Sequence, residues 1–424
     1  MNRTLIFTGL ILNWFMLHAQ NDQLTPSDFG AKASAHVKKL CDFGVRIAGS
    51  DAEKNTVVYL VEKFKENGMD VSLDTIIYKD YTLENRSVFL NGKKIPIKSA
   101  FINKPFENII SVESRCMILQ NDYFDINNVT DKIIFSLVSN HSIALSKYNP
   151  KAVIAMDKNN LEALDIKDEQ NVTVKFVGAS KSKWTKSYNI IATYKKKMPV
   201  DSSIILTAHW DSQNGVGADD NASGTACLIE LSNFFSKRLN DLKYNLVFVA
   251  TGLEEFGMLG SISYVFNNIE SVDKCILNFN IDGIALDMPR IEVSHINYNN
   301  SQSDTIQDIL VFEKKSPKGI LMTTREEIYF NRICNTSQTE RLSNTFKNSM
   351  TELGIEYKEA GCCAGVDARS FNYIGIPYIN FGSSNSESND HVVNTPQDVF
   401  NESFVENINN NGRIASKILI DINE

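Results

Sequence analysis

Ile204-Ile205-Leu206-Thr207-Ala208-His209-Trp210-Asp211-Ser212 joins an apolar run to a histidine and an aspartate. A run that is apolar at consecutive positions suits a strand buried on both faces, as in a parallel sheet covered by helices. The same plan recurs downstream. Asn245–Ala250 leads into Thr251-Gly252-Leu253-Glu254-Glu255-Phe256-Gly257, and Ile276–Ile281 leads into Asp282-Gly283. Helices are expected at Ala222–Leu239, Ser261–Phe266 and Glu340–Leu353, and a further strand at Tyr378–Phe381. This alternation predicts an α/β fold with a doubly wound, mostly parallel central sheet and helices on both faces.

Upstream, Phe29–Leu40 has helical character and Gly44–Ser50 reads as a loop. Ser50 or Asp51 then caps a second helix whose apolar stripe includes Val57, Leu60, Val61 and Phe64, and Gly68 ends it. From about Tyr81 to Tyr188 the texture changes to short alternating strands with Asn- and Lys-rich turns: Arg86–Leu90, Ile133–Leu137, Ala152–Met156 and Val172–Val177, with one helical segment at Ile143–Lys147. The expected organisation is therefore a β-rich insert at 81–185 inside a larger domain made of 20–80 and 186–424.

The 424 residues allow two or three domains at roughly 150 residues each. A net charge of −8 argues against nucleic acid or an anionic membrane as the main partner. Met1-Asn2-Arg3, the apolar run Leu5–Leu17 and His18-Ala19-Gln20 read as a secretory signal peptide over 1–19, cut after Ala19. The alternative is a membrane anchor, but the run is short of the ~20 apolar residues that a span needs. The chain is thus expected to be exported, periplasmic or secreted, with no anchor in the mature form. The seven cysteines lie beyond the signal, and an odd number leaves at least one unpaired in a monomer. Cys41, Cys227 and Cys275 sit in apolar patterns as small core residues.

In open α/β sheets ligands bind beyond the carboxyl ends of the strands. Here that edge receives His209, the Glu254-Glu255 pair and Asp282. On extended chain Asp211 points the same way as His209 and could orient its imidazole, although a lone His with a strand-end Asp would look the same. Gly217-Ala218-Asp219-Asp220-Asn221-Ala222-Ser223-Gly224 is a turn entering a helix. Capping explains one such polar residue, but two acids and an Asn exceed what one cap requires. Glu254 and Glu255 are adjacent and aim at different targets, so one can ligate a metal while the other acts as general base. Asp282 follows a largely apolar strand, where a carboxylate is costly to bury without a metal or partner.

Taken in order, these segments resemble the M28 family of zinc peptidases, which includes secreted bacterial aminopeptidases. The resemblance rests on His209-Trp210-Asp211-Ser212, Gly217–Gly224, Glu254-Glu255-Phe256-Gly257-Met258-Leu259-Gly260 and Asn280-Ile281-Asp282. Lesser matches are Arg46–Ser50, Tyr188–Ala192 and Phe371–Pro377. It implies a two-zinc peptidase acting on peptide substrates. His209 and Asp282 would hold one zinc, Glu255 and a late His the other, and Asp220 would bridge them. Asp211 would support His209, and Glu254 would be the base. The insert is similar in placement to the protease-associated domain of many members.

The last ligand departs from the family's pattern. Its register reads Asn394-Thr395-Pro396-Gln397-Asp398, and the nearby imidazole is His391, three residues earlier. His is the better zinc ligand, which favours His391; the alternative is that Asn394 replaces it and the second metal is weak or absent. The Tyr that often precedes this His is missing as well. The resemblance also leaves open a single-zinc glutaminyl cyclase, another peptidase specificity, and a catalytically inactive binding relative.

Overall fold

The computed structural model describes residues 26–104, 106–119, 129–137, 150–195, 200–293, 312–315, 321–324, 336–359, 366–372, 374, 376–385 and 392–423. The expected signal peptide over 1–19, the expected helical segment at 143–147, and His391, Cys334, Cys362 and Cys363 lie outside these residues.

The chain opens with helices α1 (Phe29–Asp42) and α2 (Asp51–Glu66). Ser50 caps α2 by accepting the Glu53 N–H at 3.1 Å, and the Glu53 carboxylate reaches back to the Gly49 N–H. The arrangement resembles a capping box, with the carboxylate reaching one residue beyond the cap. Strands β1 (Met69–Leu90), β2 (Lys93–Ile95), β3 (Ser99–Ile102), β4 (Phe106–Leu119), β5 (Ile133–Ser136) and β6 (Ala152–Ala155) come next, then helix α3 (Lys158–Glu162) and strand β7 (Asn171–Tyr194). The next elements are β8 (Ser203–His209), a π-helical turn (Ala218–Ser223), α4 (Gly224–Ser236), β9 (Asn245–Thr251), α5 (Leu259–Asn267), α6 (Ile269–Asp273) and β10 (Cys275–Ile281). The chain ends with β11 (Met288–Val293), β12 (Phe312–Lys315), β13 (Leu321–Thr324), α7 (Thr336–Leu353), β14 (Lys358–Glu359), α8 (Ala368–Asn372), β15 (Tyr378–Ser384) and α9 (Phe404–Asn423).

The centre of the main sheet is the parallel set β9-β8-β10-β15. Antiparallel strands flank it, β7 beside β9 and β11 beside β15, so the sheet is mixed rather than parallel throughout. Alternation within the buried strands explains the covering of both faces. Ile204, Leu206, Leu246 and Phe248 join one core with α1, α2, α4 and α9, whereas Ile205, Val247 and Val249 join another with Tyr264 of α5 and Phe371 of α8. Burying one such side chain contributes roughly 1.5–3 kcal/mol. The fold is α/β, with helices on both faces.

The β-rich segment differs from expectation in its length of strand. β1 and β7 pair antiparallel from Met69↔Tyr194 outward to Leu90↔Val174, passing without a break through the expected boundaries at 81 and 185. The outer parts of the ribbon form a separate apolar core with β4, β5 and β6, including Val88, Ile133, Phe135, Ile154, Val174 and Phe176. The helix expected at Ala222–Leu239 is shorter at both ends, running Gly224–Ser236, and the turn before it has non-helical backbone at Asp220 and Asn221. Cys41, Cys116 and Cys227 are free cysteines.

Candidate metal centre

His209 is the last residue of β8, and Asp282 directly follows β10. Between them in sequence, the turn Ala218–Ser223 presents Asp220, and the Asp220–Asn221 peptide bond is cis. His209 Nε2 lies 3.1 Å from Asp220 Oδ1, 3.4 Å from Asp282 Oδ1 and 3.9 Å from Glu254 Oε2. Ligand atoms of His209, Asp220 and Asp282 all fall within 4.8 Å of one another.

The local sequence builds this point. Asn221 ties the turn to the end of β10: its Nδ2 donates to the Ile281 carbonyl at 2.8 Å, and its Oδ1 accepts from Gly224 and Gly283 amides at 2.9 and 3.1 Å. Gly252 lets the loop after β9 press on its neighbours, since a Cβ there would meet Trp210 Cζ2 at 2.7 Å and the Tyr188 carbonyl at 2.8 Å. The loop then carries Glu254 and Glu255 on backbone fixed from below. Asp211 Oδ1 accepts the Glu254 N–H at 3.1 Å, and Asp211 Oδ2 accepts the Glu255 N–H at 3.2 Å. Asp211 Oδ1 is also 3.5 Å from His209 Nδ1. It therefore touches the imidazole, as its spacing suggests, and holds the Glu loop as well.

Glu254 and Glu255 do aim apart. Glu254 faces His209, whereas Glu255 Oε2 accepts from Gln213 Nε2 at 2.9 Å. Asp220 also divides its two oxygens: Oδ1 faces His209, and Oδ2 accepts from Asn394 Nδ2 at 3.5 Å.

Residues beyond the expected set also shape the site. Asp398 accepts the amide protons of Asp219 at 2.8 Å and Asp220 at 3.0 Å, anchoring the turn from the C-terminal loop. In sequence it marked only a register. Buried Arg46 donates to the carbonyls of Trp210, Val216 and Gly217, tying the first loop to the segment after β8. Asp367 accepts from the Thr251 hydroxyl. An Asp just before a short helix reads as a cap, so no signal separated it from ordinary helix starts.

The electrostatics are those of a cation site. Burial opposes charge on His209, yet Glu254, Asp282, Asp211 and Asp220 outweigh it and hold the imidazole pKa well above its usual range. Burial drives Glu254 well above the carboxylate range; His209 opposes this, and Glu255, Asp282 and Asp367 add to it. Glu255 is raised well above the usual range in the same way, by burial and then by Asp220. One imidazole does not neutralise this cluster, and Glu255 Oε1 is buried with no hydrogen-bond partner among the described residues. A divalent cation fits both facts. A cleft of about 1590 Å³ elsewhere, beside α4, α7 and α9, shares no residue with the cluster.

Fold and site together define a doubly wound α/β protein with a His–carboxylate cluster at its strand ends that could hold a metal ion. Residues 189–339 match the model of Peptidase family M28. Aminopeptidase YwaD of Bacillus subtilis is 30% identical over 158 residues, which span 36% of this chain and 33% of the relative. The aminopeptidase from Aneurinibacillus sp. strain AM-1 shares the fold with a TM-score of 0.61 at 19% identity, over 94% of this chain and 95% of that one. A zinc aminopeptidase from Bacillus subtilis gives a TM-score of 0.57 at 19% identity, over 92% and 94%. The chain thus aligns over about a third of this curated relative's length, while the fold match runs almost end to end.

Proposed function

We propose that this chain is an exported zinc-dependent peptidase that removes residues from the N-termini of peptides, with Glu254 as general base. The observation that carries the reading is convergence: β8, the loop after β9 and β10 bring His209, Glu254 and Asp282 to one point against Asp220. The relatives named as aminopeptidases support the substrate class, and the structure named a zinc aminopeptidase supports the metal.

His209, Asp220 and Asp282 would hold one zinc. Asp220 and Glu255 would contribute to a second position, whose remaining ligand would be His391 by the sequence expectation or, in its alternative, Asn394. Bound zinc supplies polarisation of the scissile carbonyl and a more acidic attacking water. Glu254 takes the proton from that water and returns it to the leaving amine. Asp211 keeps both glutamates in place through their backbone amides. The segment 81–185 is read as an inserted β-rich domain resembling protease-associated domains. Among the described residues no helix is long and apolar enough to cross a membrane. Export rests on the signal-like start, and N-terminal sequencing of secreted material should begin at Gln20.

Glu254→Gln tests the core of the proposal. Turnover of an N-terminally free peptide should fall by roughly 10²–10⁴-fold, while zinc content by elemental analysis stays at the wild-type value. A fully active variant removes Glu254 from its role. Acetylating the substrate's amino terminus should block cleavage and amidating its carboxyl terminus should not; the reverse result points to a carboxypeptidase.

A further inference from the structure

Asp220 presents its two carboxylate oxygens to two different donor sets. Oδ1 meets His209 Nε2 at 3.1 Å, beside Asp282, which gives a position with one nitrogen donor and carboxylate oxygens. Oδ2 meets the Asn394 carboxamide at 3.5 Å. Asn394 Oδ1 is buried and, among the described residues, has no hydrogen-bond partner. Glu255 is 3% exposed, its Oε1 is equally unpartnered among the described residues, and Asp220 is the leading like charge acting on it. Among the described residues, two buried oxygens thus lack partners: Asn394 Oδ1, on the carboxamide that meets the outer oxygen of Asp220, and Glu255 Oε1.

Without a cation, the carboxamide turns its N–H toward Asp220, as a donor to a carboxylate must. A half-turn about the terminal side-chain bond, which is a soft two-fold torsion, brings Oδ1 round in place of Nδ2. The backbone suits the position, since Asn394 has φ +59°, a left-handed conformation that Asn tolerates well. The neighbouring Asp398 holds the Asp219 and Asp220 amides, which fixes the distance between this loop and the bridging carboxylate.

We infer that the second metal position is closed by the Asn394 carboxamide oxygen together with Asp220 and Glu255, making it an all-oxygen, exchangeable site beside a tight zinc site. This rests on the metallopeptidase reading and deepens it. Imidazole suits zinc, whereas carboxylate and carbonyl oxygens suit Mg²⁺, Ca²⁺ and Mn²⁺. The two positions should therefore differ in affinity and in preferred cation: the first keeps zinc, and the second exchanges zinc readily and accepts Mn²⁺.

The experiment uses the full mature chain, stripped of metal, reloaded with zinc, dialysed, and then titrated with Mn²⁺ while the free-ion electron paramagnetic resonance signal is followed. One zinc per chain should survive dialysis, and one Mn²⁺ should then bind. Asn394→Gly keeps the left-handed backbone without strain and should weaken Mn²⁺ binding by at least about tenfold, leaving the first zinc in place. Asn394→His should instead retain two zinc ions through the same dialysis. Two zincs retained by the wild-type chain, with the second lost in His391→Ala and kept in Asn394→Gly, would overturn the inference and leave the peptidase reading standing. A wild-type chain that keeps no zinc overturns both.

Discussion

The strand-end edge of the main sheet and the outer part of the β1–β7 ribbon are built on continuous strands yet bury opposite chemistry. At the edge, Asp211, Asp219, Glu254, Glu255, Asp367 and Asp398 are all buried. Between residues 81 and 185, the buried polar side chains among the described residues are Ser136, Ser180 and Thr185, none of them charged. Burying a carboxylate costs free energy unless a partner or cation compensates, so the edge gives up stability that the ribbon keeps. The difference separates the part of the molecule shaped by chemistry from the part shaped by packing.

The largest expected effect probes the packing side. Phe176 is fully buried against Phe106 in the outer core, and Phe176→Ala should cost about 3–5 kcal/mol in urea unfolding. The proposed peptide turnover per folded molecule should not change; a drop in kcat under fully folded conditions would break the comparison.

The next tests the charged side. Burial lifts the Asp367 carboxyl from 3.8 to about 6, against the pull of His209. Between these values the native metal-free chain holds a proton that the unfolded chain has released. Stability should therefore fall as pH rises from about 4 to about 6 and level off above, by at most about 3 kcal/mol. Asp367→Asn should abolish that part of the slope in denaturation curves taken across the window. An unchanged slope would mean that the carboxyl titrates normally.

Asp211→Asn leaves a single oxygen to serve the amides of both Glu254 and Glu255, and kcat should fall by about 10–100-fold with zinc retained. A kcat within about twofold of wild type would show that the loop holds itself. The smallest effect lies just outside the edge, at the cap of α2. Ser50→Ala should cost about 1 kcal/mol with kcat unchanged, and a kinetic defect would extend the catalytic region to the first loop.

Much of the edge was legible in sequence because its signals are local. Apolar runs ending in His209, Glu254-Glu255 and Asp282 mark strands and the loops that leave them, and Ser50 and Gly68 bound α2 as their chemistry predicts. The ribbon was read only in pieces. Its pairing lies between residues as distant as Met69 and Tyr194, and Lys79–Arg86 lacks the alternation of a half-buried strand. Asp398 marked only a register and Asp367 looked like an ordinary cap, because what distinguishes them is the company they keep across the fold.

The sequence by itself determined the α/β class, the order of the strands that carry chemistry, and the residue types able to bind a metal, since periodicity and side-chain chemistry are properties of neighbouring residues. Only the tertiary structure decided that Asp211 grips the glutamate loop, that Asp398 grips the Asp220 turn, and that Asn394 stands at the outer oxygen of Asp220. Those relations join residues 43, 178 and 174 positions apart, and only folding brings such distant groups within hydrogen-bonding reach.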